Sequence, residues 1–279
     1  MKNMTEADYE KTLIEQFLAE DVDGGDITTD SIIDKQDKSE AVIVAKEDGV
    51  IAGHRLARGV FCALDPDIIY DERKSDGSFV RTGDTVVRIS GKTRAILSGE
   101  RTALNILQRL SGAATITRRF VDQIAGTKAK ILDTRKTTPG MRVLEKYAVR
   151  MGGGDNHRIN LNDMALIKEN HITAAGSIQK AVQRVRKAFP DRPVEVEVRN
   201  MEELEQALGE PVDRIMLDNW STEDMKKGVA RVNGRVELEA SGNMSLERVR
   251  EVAETGVDLI SVGSITHSYK SLDLSLLIV

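Results

Sequence analysis

With 279 residues, 40% hydrophobic and 30% charged, the chain can bury a real core and is long enough for one large domain or two ordinary ones. A formal net charge of -5 argues against a nucleic-acid surface, and no run approaches the ~18 apolar residues of a membrane span, so a cytoplasmic protein is expected. One cysteine excludes an internal disulfide or a multi-cysteine metal site, and four histidines without H-x-x-H spacing argue against a histidine-bound catalytic zinc.

Leu13, Ile14, Phe17 and Leu18 have the spacing of an amphipathic helix over residues 5–20, which DVDGGDITTD breaks. From Ser39 to about Gly91 short β-like runs alternate with turns, as in EAVIVAKEDGVIAG and DIIYDERKSDGSFVRTGDTVVRIS. Cys62, in the apolar run VFCAL, is expected to be a buried thiol. The piece DGSFVRTGDTVVRISG resembles a biotinyl or lipoyl carrier hairpin but has no lysine at a tight tip. Ser98–Ser111 predicts a helix capped by Ser98, with Ala103, Leu104, Leu107 and Leu110 inward and Arg101, Asn105 and Gln108 on another face. A domain boundary is expected near 110–114, giving an N-terminal domain of residues 1–112 joined by 268–279, and a second domain of 113–267.

Beyond Ala129 six apolar runs, KILDTR, MALIKE, VEVEV, RIMLD, VELEAS and LISVG, alternate with helix-length segments. Repeated βα units imply a parallel sheet with right-handed crossovers, and six strands fall short of the eight of a closed barrel. The expected fold class is therefore α/β: an N-terminal α+β sandwich followed by an open, six- or seven-stranded TIM-like barrel.

Such barrels place their chemistry at the C-terminal strand ends, which here finish in Arg135, Lys168, Glu197, Asp218, Ser241 and Gly263. By strand parity Val194, Val196 and Val198 share the helix-facing side, whereas Glu195 with Glu197, Asp133 with Arg135, Met216 with Asp218, and Glu237 with Glu239 and Ser241 share the other. So many interior charges are costly unless they pair with one another or with a ligand. Between Leu132 and Ile172 the cations Arg135, Lys136, Arg142, Lys146, Arg150, His157, Arg158, Lys168 and His171 concentrate in an otherwise acidic chain, which points to a small anionic ligand. Lys146 and Arg150 read as surface charges of a helix, and glycines 152–154 as a bend that carries His157 and Arg158 to the barrel mouth. The small residues after the last two strands, SGN and GS, suit a phosphate.

DTRKTTPGMRVLEKYAV, GGGDNHR and LIKENH, with EDVDGGDITTD, ERTALNILQRLSG, MLDN, EASGN and ISVGSITHS in order around them, resemble the quinolinate phosphoribosyltransferases over almost the whole chain. The resemblance implies transfer of phosphoribosyl from phosphoribosyl pyrophosphate (PRPP) to quinolinate with loss of the 2-carboxylate, giving nicotinate mononucleotide, pyrophosphate and CO2 for NAD biosynthesis. It implies that Arg135, His157, Arg158 and Lys168 hold the quinolinate carboxylates, with Arg101 donated across a homodimer to the partner's site. Lys136 would reach the phosphorylated substrate; Glu197 and Asp218 would hold the ribose and Mg2+, directly or through water; and Ser241, Gly242, Asn243, Gly263, Ser264 and His267 would surround a phosphate. Lys136, Lys168, Glu197 and Asp218 are the implied catalytic set, no organic cofactor is implied, and assembly of dimers into a hexamer is left open. The rivals are a Schiff-base aldolase using Lys168, a molybdenum-transport-associated relative of the same fold with another acceptor, and a non-catalytic binding module.

Overall fold

The computed structural model describes residues 6–279, with side chains from residue 8 onward, so the first residue of the helix expected over 5–20 lies outside the described residues. Helix α1 (Glu6–Val22) is followed by α2 (Ile27–Ile32), which Asp26 caps by accepting the Thr29 amide at 3.0 Å. Then come β1 (Lys38–Ala45), β2 (Gly49–Val50), α3 (His54–Leu64), β3 (Ile69–Glu72), β4 (Phe79–Val80), β5 (Thr85–Lys92) and α4 (Thr93–Gln123). Cys62 on α3 is only partly buried, because the inward stripe of that helix is Leu56, Ala57, Val60 and Phe61.

Helix α4 is 31 residues long, not the segment Ser98–Ser111, and Ser98 is no cap: it sits inside the helix and donates to Asp26 Oδ2 at 3.1 Å. The sequence reading stopped at the glycine of LSGAAT. Yet buried Ala113, Ala114, Thr117 and Phe120 continue the inward stripe past Gly112, and one interior glycine costs too little to end a helix. The boundary between the two units of the chain falls inside α4: one unit ends at Thr115 and regains Tyr269–Val279, the other is Ile116–Ser268.

The second unit contains β6 (Lys130–Leu132), α5 (Arg142–Met151), β7 (Ala165–Ile167), α6 (Glu169–Ala175), α7 (Ile178–Ala188), β8 (Val194–Val198), α8 (Met201–Leu208), β9 (Arg214–Asp218), α9 (Thr222–Val232), β10 (Glu237–Ser241), α10 (Val249–Ala253), β11 (Leu259–Ser261) and α11 (Ser264–His267). The six strands form one parallel sheet in the order β6-β11-β10-β9-β8-β7. Successive strands are neighbours except β6 and β7, which are the two edges: the barrel is open between its first and second strands. Val194, Val196, Val198, Ile215, Leu217, Leu238, Ala240 and Ile260 pack with Val182, Leu204, Met225 and Val249 of the helices. The alternate residues, among them Glu195, Met216 and Glu239, are buried outside that apolar layer, as the parity of the strands requires.

In the opening, Gly153 adopts φ +88°, and a Cβ on Gly154 would lie 2.8 Å from Thr117 Cγ2 and 2.9 Å from Val149 Cγ1. The glycines thus provide the bend expected of them. The chain then runs along β6: the Asp155 amide donates to Ile131 O at 2.8 Å and the Asp133 amide to Asp155 O at 3.2 Å. This places His157 and Arg158 at the barrel mouth. In the first unit the final strand, β12 (Leu274–Ile278), pairs antiparallel with β1 in a sheet ordered β12-β1-β5-β3. No described helix is long and apolar enough to cross a membrane.

Candidate active site

A cavity of about 630 Å³ opens at the C-terminal ends of the parallel strands. Arg135, Lys136, His157, Arg158, Lys168, Glu197, Asp218, Ser241, Gly242 and Asn243 line it, together with Thr134, Asn219, Glu239 and Ser261. Parity within regular strands predicted the central part of this set: Glu197 pairs in register with Met216, and Ser241 with Asp218. Gly263 and His267 stand beside Lys136, since a Cβ on Gly263 would lie 3.2 Å from Lys136 Cδ and 3.1 Å from His267 Nε2. The Thr266 hydroxyl donates to Lys136 O at 2.8 Å, tying α11 to the loop after β6. Ser264 begins α11 and is not among the lining residues. Arg101, exposed on α4 in the other unit, is not among them either.

The parity argument fails after β6. The strand ends at Leu132, and Asp133 turns away from Arg135 into the protein. It is fully buried, and its carboxylate accepts from the Lys146 ammonium, from Asn156 Nδ2 at 2.6 Å and from the His157 amide at 2.9 Å. Lys146 is therefore not the surface charge the sequence suggested: it is 1% exposed and also donates to His157 O at 2.8 Å. Burial raises the Asp133 pKa and lowers that of Lys146, while each partner's charge opposes the shift. Arg150 is exposed, as expected, and reaches Asn156 Oδ1 at 2.7 Å. Arg142 bonds Thr137 Oγ1 at 2.9 Å and Ile159 O at 3.1 Å, bracing the two loops instead of lining the cavity.

Among the described residues neither cavity arginine is ion-paired with a carboxylate. Arg158 Nη1 donates to Met164 O at 2.9 Å, and burial followed by the like charge of Arg135 lowers its pKa. Arg135 Nε is buried without a hydrogen-bond partner. Two half-buried guanidiniums side by side are unfavourable alone and complementary to a planar anion with two carboxylates. Lys168, at the end of β7, pairs with Glu197 Oε2 at 2.5 Å.

His157 lines the same cavity with both ring nitrogens turned toward protein groups. Nδ1 accepts the Arg158 amide at 2.7 Å, and Nε2 lies 3.0 Å from Glu195 Oε2 and 3.4 Å from Glu239 Oε2. Burial opposes a charge on the ring, whereas Glu195 and Glu239 favour one and push its pKa upward. The Arg158 N–H aimed at Nδ1 resists the second proton, because two facing N–H groups cannot share 2.7 Å. The proton that both influences allow is the one on Nε2.

The turns after β9 and β10 form the rim opposite the arginines. Asn219 and Asn243 both adopt positive φ, at 57° and 50°, and Asn243 Nδ2 donates to Asn219 Oδ1 at 3.3 Å. Gly242, at φ +98°, has no room for a side chain, since its Cβ would lie 2.1 Å from Asn219 Oδ1. Asn219, the last residue of MLDN, joins the predicted set: an asparagine directly after a strand-ending aspartate is itself a sign of a left-handed turn. Glu197 and Asp218 offer hard oxygen donors from adjacent strand ends, a donor set that fits a magnesium ion.

The family described as quinolinate phosphoribosyl transferase matches the chain twice, its N-terminal domain over residues 26–111 and its C-terminal domain over residues 113–277. A probable nicotinate-nucleotide pyrophosphorylase [carboxylating] of Synechocystis is 44% identical over 270 residues, 95% of this chain and 91% of the relative. A relative of the same description from Bacillus subtilis is 43% identical, over 95% of this chain and 92% of its own length. Among solved structures, the nicotinate-nucleotide pyrophosphorylase from Francisella tularensis superposes with a TM-score of 0.95 at 44% identity, covering 99% of this chain and 98% of that one.

Proposed function

The chain belongs to the quinolinate phosphoribosyltransferase family, and from that premise we propose that the cavity at its parallel strand ends binds quinolinate and PRPP side by side. The reaction transfers a phosphoribosyl group to the pyridine nitrogen of quinolinate with decarboxylation, a step of NAD synthesis. The observation that carries the site assignment is the adjacent pair Arg135 and Arg158, the first with a buried unpartnered Nε and the second with its pKa depressed by burial and by its neighbour. A dicarboxylate relieves both.

Arg135, Arg158 and Lys168 hold the two carboxylates of quinolinate, and this orients the ring nitrogen toward ribose C1. A bond forms from nitrogen to C1 as the bond from C1 to pyrophosphate oxygen breaks, with positive charge developing on the ribose. Glu197 and Asp218, carboxylates of the cavity wall, stabilise this charge and the ribose hydroxyls. They would also hold a magnesium ion, directly or through water, which supplies charge neutralisation for the departing pyrophosphate. Lys136, flanked by Gly263 and His267, and the Ser241–Asn243 turn receive the phosphates. The C2–carboxylate bond then breaks, CO2 leaves, and the electron pair stays on C2 beside the cationic ring nitrogen until it takes a proton from water. The cationic wall of Arg135, Arg158 and Lys168 favours that charge.

Arg101, exposed on α4, completes the clamp from a second copy in a homodimer. The soluble, charged substrates suit a cytoplasmic setting. The deciding assay follows CO2 release from quinolinate on adding PRPP with and without Mg2+. Magnesium-dependent release is expected; turnover of nicotinate with none of quinolinate would refute the reading.

A further inference from the structure

Glu195 and Glu239 are fully buried, on β8 and β10, beneath a cavity that takes anions. His157 Nε2 faces both acids at ion-pair distance without an aligned hydrogen bond: it, both oxygens of Glu195 and Glu239 Oε1 are buried without a hydrogen-bond partner. The groups that offset their charge are the His157 ring, Arg214, which reaches Glu239 Oε2 at 3.2 Å, and the Ser261 hydroxyl. Apolar residues of the same size would serve stability as well or better, and two acids under a dicarboxylate site oppose its ligand unless something masks them. Their retention calls for a task that a carboxylate does and a leucine does not.

The contacts above the acids identify that task. His157 Nε2 straddles Glu195 and Glu239, Nδ1 takes the amide of Arg158, and the Arg158 guanidinium lines the cavity. His157 otherwise hangs on Asp133 and Lys146 through its own backbone, which fixes where the chain passes but not how the ring is turned. We propose that Glu195 and Glu239 are positioning residues: they seat the His157 ring by the attraction of their charge for its Nε2–H side, and the ring seats the Arg158 amide, so that Arg158 meets its carboxylate in register. The inference rests on the assignment of Arg158 to the quinolinate clamp. It also accounts for a cavity histidine whose ring nitrogens face protein groups. The ring is a strut between the barrel interior and the clamp.

The test combines kinetics with nitrogen NMR of the histidine rings, His157 being identified by its loss in His157→Gln. Glu195→Ala should raise the KM for quinolinate by about tenfold or more, the order expected when a binding group is misplaced by a fraction of an ångström, with the KM for PRPP within about twofold of wild type. Glu195→Gln, which keeps an acceptor for the Nε2 proton, should recover most of the loss; a role confined to stability would move both KM values together or neither. In the wild type at neutral pH the ring should carry its proton on Nε2 and none on Nδ1. The proposal is overturned by an unchanged quinolinate KM in Glu195→Ala, by a proton on Nδ1, or by a stoichiometric metal ion bound at Nε2 in the purified protein. If Glu195→Ala does not fold, the wild-type ring signature and Glu195→Gln decide alone. Arg158→Ala separates the two levels: if it leaves the quinolinate KM unchanged the clamp itself is misassigned, whereas a raised KM there with none in Glu195→Ala removes only the strut.

Discussion

Replacing Lys146 by methionine keeps the length and most of the volume of the side chain, so no cavity opens and the lost charge can be weighed by itself. Two interactions disappear: the ion pair with Asp133 and the 2.8 Å bond to His157 O. The Asp133 carboxylate is left fully buried with two donors, Asn156 Nδ2 and the His157 amide. Stranding one member of a buried pair costs about 3–5 kcal/mol. An orphaned carbonyl adds about 1 kcal/mol or more, which places Lys146→Met toward the upper end. For a domain of about 150 residues such a loss lowers Tm by about 6–20 °C, measurable by calorimetry. Asp133→Asn/Lys146→Met, which strands no charge, should recover about half of the deficit or more. A loss below about 1 kcal/mol in Lys146→Met, or a double variant worse than the single, would refute the argument that this lysine is a buried counter-ion.

Arg135→Ala should weaken quinolinate binding by about 3–5 kcal/mol in a titration calorimeter, and Lys168→Ala by less, since Lys168 is half exposed and shares its charge with Glu197; unchanged affinity removes either from the clamp. Gly242→Ala forces an L side chain into a positive-φ position against Asn219, about 1–3 kcal/mol of strain, and should raise the KM for PRPP more than that for quinolinate. Equal changes in both would show that the turn holds no phosphate. Mixing Arg101→Ala with Lys168→Ala subunits should restore roughly a quarter of wild-type activity, because half the dimers are mixed and half their sites intact; no recovery in a verified mixed dimer rules out a shared site. The Thr29 hydroxyl and amide hold the Asp26 carboxyl below its ordinary 3.8, so its capping of α2 contributes at higher pH and is lost as pH falls below that value. The stability gap between wild type and Asp26→Ala, about 1 kcal/mol at pH 7, should close in acid, and a gap that stays constant down to pH 2 would exclude the ionised cap.

Where the chain is regular, its sequence was enough. VEVEV and RIMLD fix which side chains face the helices and which face the barrel, because the two-residue period of a strand leaves no other choice once the valines are buried. Six such runs also set the strand number and the open barrel. Residues at or just beyond strand ends, Lys168, Glu197, Asp218 and Ser241, were legible for the same reason.

Irregular backbone and long-range pairing were not. Asp133 and Arg135 part company because the strand stops at Leu132, and no local pattern marks that residue as its last. Lys146 reads as a surface charge on a helix until Asp133, 13 residues earlier, arrives beside it. The helix through Gly112 continued because its inward stripe did, against the local cost of one glycine. His157 carries the same lesson into the site: its ring faces Glu195 and Glu239, 38 and 82 residues away, partners that no local pattern names. The sequence by itself determined the architecture and the inventory of charges, since periodicity and composition are local properties. Which charges meet a ligand and which meet one another was decided by the tertiary structure, because desolvation and pairing depend on neighbours distant in the chain.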